Sequence, residues 1–377
     1  METAPTLPSV YLQGTAGIVY TLLSILTVGG NALVFLTVFH YMRTITVTNI
    51  FIGNLAITDF FIGLFCIPIV LITDYLMSYW PFGLVLCKLT SFVQSVFVVC
   101  TVYTLIAMSV DRYLAIIHPL KPKLTHRNCY RLIVCLWTFS IVFSSPTLFE
   151  MHIRHVCFER DRKEYIQTTC QPNGLPILTQ TIYNIATLII IYLIPLIVLS
   201  IVYIRLGWQL NKSRAPGEAH TERDARIKKS KKKVFKMCFA VVFMFGICWL
   251  PMLLYNSLRP YIEQIFNEKY VPHIYFTFHL MSMSNSCVNP FIYGIMSSRF
   301  RAGYLHYWNC LITCCGFVND QWKAKDQNLN ETVILSASFR PARRDYHSSL
   351  TNIHSDIERP STISLQPMIP LLSVQRN

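Results

Sequence analysis

Asp59, Asp111 and Arg112 are charged side chains set inside, or at the end of, long apolar runs in this 377-residue chain. Charges are costly in such surroundings and persist where they pair, bind an ion or move. Asp59 closes the stretch Asn54-Leu55-Ala56-Ile57-Thr58-Asp59. Oxygens from Thr101, Asn285, Ser286 and Asn289, which lie in other apolar runs, could join it around a sodium ion. A purely structural polar network is the alternative reading. Arg112 lies between Asp111 and Tyr113 at the end of its run. One carboxylate neighbour can hold that guanidinium until a partner displaces it, which is the chemistry of a switch. Asn289-Pro290-Phe291-Ile292-Tyr293 places a helix-breaking proline at similar depth near the end of the last run.

Catalytic sets are harder to find. The eleven histidines are scattered, and His118, His126, His152 and His155 fall in loops or near helix ends. Neither a metal spacing nor a Ser/His pair at one depth emerges, so an enzyme is not expected. A transporter is also disfavoured, because such folds repeat internally and this chain shows no repeat.

The elements that must position these residues are apolar blocks. They cover Gly17–Tyr41, Asn49–Thr73, Leu84–Ile117, Asn128–Leu148, Leu178–Leu210, Val234–Leu258 and Val271–Met296. Each is long enough for a spanning helix of about 20 residues. The chain is 53% hydrophobic and 14% charged. Backbone groups find no water in lipid, so the runs must be helices or a closed barrel, and they are too long for barrel strands. The fold class is therefore an all-α seven-helix membrane bundle. The expected divisions are an extracellular N-terminus (1–16), the bundle (17–297), an amphipathic helix with acylation sites (298–315) and a disordered cytoplasmic tail (316–377).

The formal net charge of +14 is localised. Eight Lys/Arg lie between Thr221 and Lys236, and Lys121, Lys123, Arg127 and Arg131 lie between runs three and four. Basic loops on one side follow the positive-inside rule, which explains the charge without nucleic acid. Met1 is then outside and Asn377 in the cytoplasm. Met1–Gln13 has no basic n-region, so the first run is expected to insert as its own signal. The sequons at Asn211 and Asn330 fall on the cytoplasmic side and are read as chance matches.

Of the thirteen cysteines, Cys66, Cys100, Cys135, Cys238, Cys248 and Cys287 lie inside the runs as packing residues. Cys87 opens run three, and Cys170 lies in the loop Met151–Thr179. Both face the oxidising side, so a disulfide between them is expected. Cys157 in the same loop leaves another pairing, or a free thiol, open. Cys310, Cys314 and Cys315 follow the last run in a palmitoylation context, with Cys314 and Cys315 the chosen sites. Before them, Phe300, Tyr304, Tyr307, Trp308 and Leu311 have helical spacing, the pattern of a helix lying on a membrane surface. Ser336, Ser338, Ser348, Ser349, Thr351 and Ser355 in the polar tail are kinase candidates.

Proline punctuates the later runs at Pro146, Pro195 and Pro251. In Phe245-Gly246-Ile247-Cys248-Trp249-Leu250-Pro251 the missing donor should kink the helix. A small movement at Trp249 then swings the basic end at Lys231–Lys236.

Together these residues resemble the rhodopsin-like (class A) G-protein-coupled receptors over roughly Gly17–Cys315. The motifs are Gly30-Asn31, Asn54-Leu55-Ala56 with Asp59, Trp80-Pro81-Phe82-Gly83, Asp111-Arg112-Tyr113, Trp137, Pro195 with Tyr203, Cys248-Trp249-Leu250-Pro251 and Asn289–Tyr293. The resemblance implies agonist binding outside and activation of a heterotrimeric G protein inside, with arrestin and receptor kinases as further partners. It makes Arg112, Tyr203 and Tyr293 switch residues and Cys87–Cys170 the extracellular disulfide. Gln94 stands where amine receptors carry aspartate, and Met283 where opsins carry lysine, so neither ligand is expected. Gln94, His279 and the segment Met42–Phe51 resemble receptors of the neuropeptide Y, neuropeptide FF, orexin and RFamide cluster. A neuropeptide is the expected ligand, with a non-peptide ligand as the alternative. The acid that several of those receptors carry at the top of span six is missing; Asp74, Glu150, Glu159 or Glu164 could substitute, or an acidic ligand could meet Arg259. Gln94, Phe97, Trp249, Asn256, Tyr275 and His279 are expected to line the pocket. Lys231 stands where some members carry an acid that clamps Arg112, so basal activity is expected.

Overall fold

A computed structural model describes residues 10–314, apart from 43, 119, 121, 161, 162, 173, 213–221 and 266–269. Its helices are α1 (Val10–Tyr41), α2 (Val47–Leu76), α3 (Gly83–Ile117), α4 (His126–Glu150), α5 (177–212), α6 (Glu222–Ile265), α7 (Val271–Met296) and α8 (Ser298–Cys314). Six are long and apolar enough to cross a bilayer. The seventh, α7, is 26 residues long, but it carries Ser282, Asn285, Ser286 and Asn289 among its buried residues. A helix that faces its polar groups into a bundle gives a weaker hydropathy signal than one that faces lipid.

Local chemistry sets several ends. The Thr46 hydroxyl accepts from the Asn49 amide at 3.3 Å, and Thr125 accepts from Asn128 at 3.3 Å. Both are N-caps that satisfy donors at the starts of α2 and α4. Helix α1 is already formed at Val10, ahead of the expected edge at Gly17, and Leu12, Ala16, Tyr20 and Leu23 keep one face of it buried at helical spacing. Helix α6 is already formed at Glu222, ahead of Val234, and Lys, Arg and Glu are good helix formers in water.

Polar groups fasten the helices where apolar packing alone would not fix register. Asn31 donates to Thr27 O and Ser286 O, both at 2.9 Å, joining α1 to α7. Asn54 donates to Thr104 at 2.9 Å and accepts from the Trp137 indole at 3.0 Å, linking α2, α3 and α4. Gly30 lets α1 approach α7: a Cβ there would lie 2.9 Å from Pro290 Cγ. On α8, Phe300 is 2% exposed and packs on Tyr293, and Tyr304 donates to Pro290 O at 3.1 Å. Tyr307 joins His40 at 2.8 Å and donates to Leu36 O at 3.2 Å. The aromatic spacing on α8 therefore serves two faces. Phe300, Tyr304 and Tyr307 hold the bundle, whereas Leu305, Trp308 and Leu311 are exposed.

Strands β1 (Met151–Arg160) and β2 (Lys163–Pro172) form an antiparallel hairpin. The disulfide Cys87–Cys170 ties it to α3. Trp80 N donates to Thr168 O at 2.7 Å, and the Gln167 amide donates to Ser78 O. The hairpin thus caps one end of the bundle, as the loop length and the two cysteines lead one to expect. The side chains of Cys157, Glu159, Glu164, Lys231, Arg259 and Cys314, together with Cys315 and the tail serines and threonine, lie outside the described residues.

Candidate functional site: two cavities in one bundle

At the hairpin end is a cavity of about 740 Å³. Gln94, Trp249, Asn256, Tyr275 and His279 all line it. Trp249 is 8% exposed, with Phe245 6.3 Å from it, ring to ring, on the preceding turn. His279 is 2% exposed, and its Nδ1 lies 2.8 Å from the Tyr20 hydroxyl. Tyr275 stacks on the His279 ring at 5.5 Å.

Phe97 is not part of this lining. Its ring lies 5.9 Å from Phe61 and 6.0 Å from Trp137, turned toward α2 and α4. Val98, one residue on, takes the place facing the cavity. The reason is helical phase: one residue rotates the side chain by a little over a quarter turn. Tyr20 was not signalled by the sequence, because its partner His279 is 259 positions away and nothing local marks the pair.

Midway along the bundle, Asp59 is fully buried. Asn289 donates to its Oδ2 at 2.8 Å. Asp59 Oδ1, Asn285 Oδ1 and Asn289 Oδ1 are buried without a hydrogen-bond partner. Buried oxygens are nearly always satisfied, so this oxygen-rich set suits a hard cation. Ser286 is buried one residue beyond Asn285 on the same helix. Thr101 instead meets the Thr58 hydroxyl at 3.0 Å.

At the opposite end a cavity of about 920 Å³ is lined by Asp111, Arg112, Leu124, Met237, Arg299 and others. Arg112 points both Nε (3.1 Å) and Nη2 (2.5 Å) at the same Asp111 oxygen, Oδ2. The two side chains form an ion pair. Tyr203 hydrogen-bonds Ser109 at 3.1 Å and packs on Phe235 and Phe239 of α6. The Tyr293 hydroxyl is buried and unpartnered. Tyr113 packs on His118 at 6.4 Å. Between the cavities, Tyr192 of α5 donates to Gly246 O at 2.8 Å, beside the carbonyl that Pro251 leaves without its helical donor.

A family profile described as "7 transmembrane receptor (rhodopsin family)" matches residues 30–293. The chain belongs to the rhodopsin family of seven-transmembrane receptors. Among similar proteins is the RYamide receptor of Drosophila melanogaster, 35% identical over 317 residues, covering 80% of this chain and 67% of the relative. The RYamide receptor of Tribolium castaneum is 33% identical, covering 87% and 92%. Neuropeptide FF receptor 2 of Rattus norvegicus is 34% identical, covering 76% and 70%.

Proposed function

We propose that this receptor binds an extracellular neuropeptide in the hairpin-end cavity and activates heterotrimeric G proteins through the Arg112 cavity. The observation that carries the reading is the pairing of two large cavities at opposite ends of one bundle, with buried polar residues of α2 and α7 and the Pro251-containing α6 running between them. Relatives named as receptors for RYamide and neuropeptide FF support a peptide as the ligand. The hairpin lid suits a peptide too.

In this reading the plasma membrane surrounds the bundle, with Met1 outside and the basic loops in the cytoplasm. Agonist above Trp249 pushes α6 outward at its basic end. Arg112 then leaves Asp111 and meets the C-terminal helix of a G protein. Tyr203 and Tyr293 supply hydroxyls that re-pair as α6 and α7 shift. Asp59, with the free oxygens of Asn285 and Asn289 and the nearby Ser286, would hold a sodium ion, supplying charge balance to the resting state. Arrestin and receptor kinases would act on the cytoplasmic face, and acyl chains on Cys314 and Cys315 would anchor α8 to lipid.

The test exposes cells expressing the receptor to a panel of amidated neuropeptides, with calcium and cyclic AMP read together. A saturable response that is lost in Gln94→Ala and His279→Ala, with surface expression intact, supports the reading. Normal responses from both variants would place the pocket elsewhere.

A further inference from the structure

Helix α5 changes its winding where it passes the hairpin-end cavity. Leu188–Leu193 is π-helical, between the α-helical stretches Ile177–Thr187 and Ile194–Lys212. Such turns occur most often at functional sites. Here three consecutive residues of the turn meet three different neighbours. Ile190 O accepts from the Tyr103 hydroxyl of α3 at 3.2 Å. Ile191 is buried and lines the cavity. Tyr192 donates its hydroxyl to Gly246 O of α6 at 2.8 Å. Tyr192 is 5% exposed, so water does not compete for that bond.

The α6 end of these contacts lies at the weakest level of that helix. Pro251 has no N–H, so the carbonyl of Ile247, next to Gly246, loses its helical donor. Gly246 faces α5 directly: a Cβ there would touch Leu196 Cδ1 at 3.7 Å. Phe245 precedes it, with its ring 6.3 Å from that of Trp249, and Trp249 lines the same cavity as Ile191. A ligand in the cavity can therefore press on both ends of the Tyr192–Gly246 bond, at Ile191 on α5 and at Trp249 on α6. At the far end of the bundle Arg112 is paired with Asp111, so the bond belongs to the latched conformation.

We propose that Tyr103 and Tyr192 form a strap of two phenols, running from α3 through the π-helical turn of α5 to α6, that holds α6 in its resting position until a ligand displaces Ile191 or Trp249. Tyr192 is a positioning residue. It does not line the cavity, and it acts through the Gly246 carbonyl. The inference rests on the G-protein reading and adds to it two residues outside the motifs that mark the family.

The experiment uses full-length receptor in nanodiscs without agonist and a panel of purified heterotrimers. Nucleotide exchange and the thermal midpoint are read together. Tyr192→Phe keeps the ring and removes the donor. The net strength of an ordinary hydrogen bond corresponds to a shift of about 2–10-fold, and basal exchange should rise by that factor. Tyr103→Phe should raise it as well. The double variant should rise by less than the product of the two, because both phenols act through one turn. Wild-type exchange, or a fall, in either single variant overturns the proposal. A lowered thermal midpoint with unchanged exchange assigns the hydroxyl to packing alone and overturns it too. Single effects that multiply in the double variant separate the two phenols and overturn the strap. Exchange that responds to Asp111→Asn but not to Tyr192→Phe defeats the strap alone, whereas no exchange by any heterotrimer from wild type or from Asp111→Asn defeats the G-protein reading itself.

Discussion

Neutralising Asp111 should raise signalling without agonist. Asp111→Asn keeps an oxygen in nearly the same place and removes the charge that holds Arg112 at 2.5 and 3.1 Å. The pair is partly buried, with side chains 24% and 10% exposed, so solvent screens it only in part. At an effective dielectric near 20, unit charges about 4 Å apart attract by roughly 4 kcal/mol before desolvation is counted. The surviving neutral hydrogen bond and the lower desolvation cost offset much of that, leaving a net loss of about 1–2 kcal/mol. If about 1% of resting receptors are active, that loss lifts the fraction to about 5–25%. The assay is nucleotide exchange by a purified heterotrimer on receptor in nanodiscs with no agonist. Basal exchange should rise about 5–25-fold in Asp111→Asn and fall to background when Arg112→Ala is added. An Asp111→Asn receptor that is equally folded but exchanges at the wild-type rate would refute the latch.

Three further outcomes are expected. Breaking the disulfide with Cys87→Ser frees a loop of 83 residues and should cost about 4–5 kcal/mol on loop entropy alone, read as a lowered thermal midpoint with weakened agonist binding. Gly30→Val pushes a side chain into Pro290, 2.9 Å from the first added carbon, and should destabilise the receptor by about 1–3 kcal/mol in the same melt, whereas a surface glycine such as Gly14 tolerates alanine. Asp59→Asn should remove any effect of sodium on agonist affinity, measured by exchanging sodium for N-methylglucamine at constant ionic strength; a sodium effect that persists would place the ion elsewhere.

Much of the bundle is legible because lipid leaves no choice. Apolar runs such as Val47–Leu76 must close their own hydrogen bonds, so length and hydropathy reveal them. Helix α7 is legible as the apolar block Val271–Met296 and by its motif at Asn289–Tyr293, although its polar buried face weakens its hydropathy. Asp111-Arg112 is legible because the partners are adjacent. The pocket is legible in most of its expected residues. Gln94, Trp249, Asn256, Tyr275 and His279 face it, but Phe97 turns away to Phe61 and Trp137, and no local signal separates the third from the fourth position along a helix face. The Tyr20–His279 bond joins α1 to α7 across 259 positions, and only the fold brings them together. The π-helical turn at Leu188–Leu193 likewise has no sequence mark, so Tyr192 reads as one aromatic among many until its bond to Gly246 is seen.

The central claim is that the two cavities are energetically coupled, and coupling is reciprocal. The direct measurement is agonist affinity on receptor in nanodiscs, with and without a nucleotide-free heterotrimer, using a peptide found in the panel. The account predicts that the G protein tightens agonist binding by about tenfold or more, and that Arg112→Ala abolishes the gain. Agonist affinity indifferent to every heterotrimer, with nucleotide exchange equally indifferent to agonist, would contradict it.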